Sequence, residues 1–149
     1  MINRYLIGVF FAITFLFGCS FPLVDYSQQE GYKQLINQKY RLKVDCFIVD
    51  YGSGLNIIPC GRVGLPETPD ERFVGKVIKE GRVQGIVLKG SEFKITNIYY
   101  LDGFDAGGII FHVKLTSQSG WDVLSTRFLQ SAGASTPDNL NPEYVYKIP

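Results

Sequence analysis

The chain is short of the groups on which catalysis and metal binding depend. Its 149 residues include one histidine, one methionine, one tryptophan and three cysteines. Every Cys/His or Ser/His mechanism would have to pass through the sole imidazole, His112. No Gly-x-Ser-x-Gly elbow, no phosphate-cradling glycine loop with its lysine and no His-Glu-x-x-His occurs. Charge is equally sparse, with 15 Lys and Arg against 14 Asp and Glu, 19% of residues and a formal net charge of +1. That balance argues against a nucleic-acid-binding module and against a disordered charged tail. What is abundant is apolar: 46% of residues are hydrophobic and 14% aromatic, with 16 Gly and 7 Pro between them. This composition suits one small globular domain with a single core of ordinary size.

The first charge-poor stretch is an address. Met1 to Arg4 carries the free amine and one cation, and Tyr5 to Phe17 is an uncharged apolar run, the n-region and h-region of an export signal. The run closes on Leu16-Phe17-Gly18-Cys19, which resembles the lipobox of bacterial lipoprotein signal peptides. The resemblance implies a diacylglycerol on the Cys19 thiol, cleavage after Gly18 and acylation of the new amine. Ser20, in place of an aspartate, implies the outer membrane as destination. Two other readings stay open: an uncleaved membrane helix within the uncharged stretch Tyr5 to Val24, interrupted by Gly18, Ser20 and Pro22, and an ordinary cleaved signal with Cys19 incidental. Loss of residues 1–18 removes Arg4 and no acid, so 14 cations face 14 acids in the mature chain. A lipid-anchored envelope protein is expected, with residues 19–30 as a tether and 31–149 as one domain.

Within that domain the apolar period is mostly two. A brief helix is expected at Tyr32 to Asn37, where Tyr32, Leu35 and Ile36 share a face. In Arg41 to Tyr51 the even positions Leu42, Val44, Cys46 and Ile48 are apolar and Arg41, Lys43 and Asp45 oppose them, the pattern of a half-buried strand. Further strands are predicted near 73–79, 83–89, 93–101, 109–115 and 121–129, separated by Gly-rich turns. Residues 131–142 read as a loop and Tyr144 to Ile148 as a last edge strand. Short strands with close turn signals predict an all-β domain, a small antiparallel barrel or sandwich.

Two cysteines remain once Cys19 is acylated. A hairpin centred on Ser53 would oppose Cys46 to Cys60 and Ile48 to Ile58, within disulfide reach if the pair is non-hydrogen-bonded. Pro59 opposes this reading, since it demands an edge or a bulge. Two buried free thiols are the alternative; a zinc site lacks ligands. No cofactor and no metal is expected. His112 falls beside Ile110 and Lys114 on the polar face of the strand 109–115, the position of a solvated side chain. Asp102 with Asp105, and Glu67, Asp70 and Glu71, read as solvated loop acids without a calcium-loop pattern.

Residues 83–130 resemble bacterial Src-homology-3-like domains. Lys89-Gly90-Ser91 precedes the strand Phe93-Lys94-Ile95, and Ser119-Gly120-Trp121 opens a closing strand ending at Phe128-Leu129. The resemblance implies a small barrel that binds peptides or cell-wall fragments without catalysis. Tyr51, Tyr100, Phe104 and Trp121 are the candidate contact surface, and an envelope protein or a peptidoglycan fragment is the candidate partner. The alternative is a lipid-anchored inhibitor or immunity protein that inserts the loop Gly61 to Arg72 into a toxin, lysozyme or protease.

Overall fold

The computed structural model describes residues 22–62, 64–79, 81–101, 108–116, 121, 124–127, 129 and 140–149. The signal segment, Cys19, Phe104, Asp102 and Asp105 lie outside them. The domain is all-β. Its strands are β1 (Leu23–Asp25), β2 (Lys39–Leu42), β3 (Cys46–Asp50), β4 (Leu55–Pro59), β5 (Val77–Ile78), β6 (Gly81–Val87), β7 (Glu92–Leu101), β8 (Gly108–Leu115), β9 (Leu124–Thr126) and β10 (Val145–Lys147). They form one sheet in the order β10-β2-β7-β8-β9-β4-β3-β6-β5, with β1 also paired to β7. All pairings are antiparallel except β4 with β9.

Of the barrel or sandwich expected, the all-β character holds, and the sheet is open rather than closed, and strongly curled. Strands β2 and β4 are four spacings apart along the sheet, about 19 Å if it were flat. Yet Leu42 of β2 and Ile57 of β4 line one narrow internal space with Phe93, Val113 and Leu129. The concave face so formed buries Leu42, Cys46, Ile48, Val87, Phe93, Ile95, Ile98, Phe111, Val113 and Leu124 in one cluster. A second cluster lies on the outer face of β3, β4 and β6, where Phe47, Val49, Ile58 and Val83 are covered by Leu65 and Phe73 of the following loop.

Several expected elements take another form. The run Arg41 to Tyr51 is two strands in different parts of the sheet, broken at 43–45. Asp45 makes the corner: its side chain accepts the Lys89 N–H at 2.7 Å and its carbonyl accepts the Cys60 N–H at 3.0 Å. Leu42, Val44, Cys46 and Ile48 all pack on the concave cluster, so the alternation runs through the corner unbroken. The expected strand 73–79 is a 3-10 turn, Glu71–Phe73, capped by Asp70, followed by the two residues of β5. The expected helix near 32–37 is likewise a 3-10 turn, Lys33–Leu35. The last strand, β10, is an edge strand as expected.

Residues 22–30, expected as tether, are docked. Strand β1 pairs Leu23, Val24 and Asp25 with Leu101, Tyr100 and Tyr99. Tyr26 donates its N–H to the Ile98 carbonyl at 2.8 Å, and Ser27 Oγ accepts the Ile98 N–H at 2.9 Å. The Tyr26 ring stacks on Tyr100 with centroids 5.4 Å apart. Beyond it, Ile36 bridges Ile95 and β2 takes over the same edge of β7. Among the described residues no helix is long and apolar enough to cross a membrane.

Candidate functional site

Strands β7 and β8 are long enough to bury one face and present the other. A bulge at Thr96 puts Ile95 opposite Val113 but Asn97 opposite His112, shifting the parity of β7. Phe93, Ile95 and Ile98 therefore all reach the core, and Asn97 and Tyr99 join the outward face. On β8 the buried residues are Ile109, Phe111, Val113 and Leu115, which turns Ile110, His112 and Lys114 outward. Strand β9 then places Ser125 directly opposite His112, and β4 places Asn56 beside Ser125. A polar row, Asn97, His112, Ser125 and Asn56, crosses four strands.

This outer face of β8, β9 and β4 forms a groove of about 720 Å³. Its floor holds Ile110, His112, Ser125 and Asn56, and Arg62 and Arg127 flank it. The register gives it direction. Pro59 lies level with Ile109, toward the end where Leu23 lines the groove, and the β3–β4 hairpin tip, with Tyr51, lies at the other end. No carboxylate belongs to the described lining. Arg62 is held in place by Tyr144, whose hydroxyl accepts from the guanidinium at 2.5 Å while the ring lies 5.6 Å from its centre. The groove thus carries fixed positive charge with amide and hydroxyl groups between.

His112 is not the solvated side chain expected. It is half-buried, its ring centroid is 4.7 Å from that of Tyr99, and burial lowers its pKa from the ordinary value. Burial thus favours the neutral form of the imidazole. Its cross-strand partner Ser125 could be found only from the pairing of β8 with β9, which no local pattern announces. Among the described residues no acid orients this imidazole, and no group of three or more His, Cys, Asp or Glu could hold a metal. Among the described residues, Ser125 and His112 are without the third group that fixes the base in a hydrolytic triad.

The three described aromatic candidates, Tyr51, Tyr100 and Trp121, do not converge. Tyr51, 37% exposed, lines the groove at the hairpin tip. Tyr100 packs on the concave cluster and under Tyr26. Trp121 also packs on that cluster and crosses Gly85 so closely that a Cβ there would meet the indole at 3.1 Å. That is a packing role, and the glycine is what admits the ring. Phe104 lies outside the described residues.

No bond joins Cys46 and Cys60 in the structure, where both are free thiols. The hairpin closes on Asp50 opposite Leu55, a four-residue loop in which Asp50 accepts the Gly52 N–H at 2.8 Å. This shifts the register by one from a hairpin centred on Ser53, so Cys46 opposes Pro59 and Ile48 opposes Ile57. A one-residue slip reverses the face of every partner. Cys46 accordingly sits in the concave cluster and Cys60 packs with the outer one. Burial raises both thiol pKa values, most for Cys46. Among the described residues the β9 pairing of β4 is limited to Asn56, and no described residue of β9 calls on a Pro59 N–H.

The loop 61–72 is pinned rather than presented. Leu65 is buried, Phe73 packs against Phe47 at 6.3 Å, and Asp70 pairs with Arg72 at 2.9 Å. Compared with protein-family models, curated proteins and solved structures, the chain matches none.

Proposed function

We propose that the protein is a non-enzymatic lipoprotein of the bacterial envelope, anchored through Cys19, whose β domain binds a carboxylate-bearing peptide in the groove between the β3–β4 hairpin tip and Leu23. The observation that carries the reading is the lining: Arg62 and Arg127 beside Asn56, Ser125 and His112, with no described acid. A guanidinium pairs with a carboxylate through two parallel hydrogen bonds, and the neighbouring amide and hydroxyl suit a peptide backbone. Cell-wall peptides and acidic segments of an envelope protein share this chemistry.

Titration of the mature domain with each class of peptide, carboxylates free and then amidated, tests it. Free carboxylates are expected to shift the amide resonances of Ile110 to His112 and Ser125 to Arg127, and amidation to abolish the shifts. A response to cell-wall peptides alone, or to acidic protein segments alone, identifies the source. No response to either refutes the groove as the site. His112→Ala and Ser125→Ala are expected to change affinity at most modestly and to reveal no lost hydrolysis. The alternative, an inhibitor that inserts the loop Gly61 to Arg72, draws less support, because Leu65 and Phe73 fix that loop to the outer core.

A further inference from the structure

The docking of residues 23–27 changes what a lipid on Cys19 would do. If the segment were a tether, the domain would float clear of the bilayer. Strand β1 is instead held by its three pairs with β7, by the Tyr26 and Ser27 bonds to Ile98 and by the Tyr26–Tyr100 stack. Only four peptide links separate Cys19 from Leu23, about 14 Å at full extension. A compact domain of this size is about 36 Å across. The anchor therefore lies at the β1 end of the domain, whatever path residues 20–22 take.

That end has the surface a membrane would need. Leu23 and Val24, consecutive in the chain, are 50% and 42% exposed. The same Leu23 lines the groove, whose other end is the hairpin tip. We infer that the β1 end rests on the lipid surface, with Leu23 and Val24 in the interfacial layer, so that the groove opens at the bilayer and rises away from it. The occupant of this apolar edge is the bilayer that holds the protein's own acyl chains. A ligand in the groove would be taken at the membrane plane rather than from the space beyond it. The inference rests on the reading of Cys19 as lipidated.

The test uses the lipidated protein in vesicles of phosphatidylethanolamine and phosphatidylglycerol, in a Cys60→Ser background. An environment-sensitive fluorophore is placed at Val24→Cys, or at Val77→Cys on β5, whose register with Asp50 puts it at the hairpin end. Expected is blue-shifted emission from position 24, quenched by headgroup-level nitroxides, and water-like emission from position 77. Insertion of a flexible Gly/Ser segment of about 20 residues between Ser20 and Phe21 adds about 25 Å of reach. It should abolish the quenching at 24 while leaving the protein in the membrane fraction. Water-like emission at 24 in membrane-bound protein overturns the inference alone. Protein that carries no acyl group and stays soluble overturns the anchoring and the inference together.

Discussion

The sheet has two outer faces that differ in one respect. On β3, β4 and β6 the outer residues Phe47, Val49, Ile58 and Val83 are apolar and lie beneath the loop that carries Leu65 and Phe73. On β8 and β9 the outer residues Ile110, His112 and Ser125 are mixed and line an open groove. The loop is held mainly by apolar contact, with Asp70 paired to Arg72 within it, while Arg62 at its start turns to Tyr144 and flanks the groove. The groove's described charges are of one sign and face solvent. The closed surface and the open one meet at β4, where Ile58 belongs to the covered cluster and also lines the groove.

The largest expected consequence is energetic. Phe47, fully buried beneath the loop, should cost about 4 kcal/mol on truncation to Ala, whereas Ile110→Ala on the groove floor should cost about 1 kcal/mol. Chemical denaturation of the two variants measures both. Equal losses would mean that the groove face is as closed as the other.

A smaller effect distinguishes the two sides of β3 and β4. In native protein isolated without reductant, Cys60 is expected to be alkylated promptly and Cys46 only on unfolding, because Cys46 is wholly buried and its pKa is raised by that burial. Intact mass after timed alkylation reads this. A mass two hydrogen atoms lighter with neither thiol labelled would establish the bond that the register disfavours.

The smallest effect lies in the core beneath the groove. Thr126 is buried and its hydroxyl has no partner among the described residues. Thr126→Val should stabilise by about 1 kcal/mol, since it removes a desolvated polar group at nearly constant volume. Thermal unfolding checks the sign.

The strand-rich class and the alternation of β8 were readable from residues 109–115, because both depend on local period. Three features were not. The corner at Asp45 keeps the parity of Leu42, Val44, Cys46 and Ile48, so alternation alone cannot reveal that the chain has changed neighbours. The bulge at Thr96 does break parity, and the three-residue step from Ile95 to Ile98 is its trace in the sequence. The hairpin register turned on one residue, and Asp50 closing on Gly52 was the available signal for a longer loop. Of the described candidate contact residues only Tyr51 lines the groove; Tyr100 and Trp121 were chosen for their aromaticity, and large rings more often fill cores. The row from His112 to Asn56 depends on pairings distant in sequence.

Charge reversal on each side puts the comparison between the two faces to its most direct test. Arg127 lines the groove, and Arg72 is an exposed arginine on the pinned loop. Affinity for a free-carboxylate peptide is measured for wild type, Arg127→Glu and Arg72→Glu at low and moderate salt. The account predicts that Arg127→Glu loses binding and that Arg72→Glu keeps it with the same salt dependence. Binding that survives Arg127→Glu and fails in Arg72→Glu would contradict it and place the active surface on the loop.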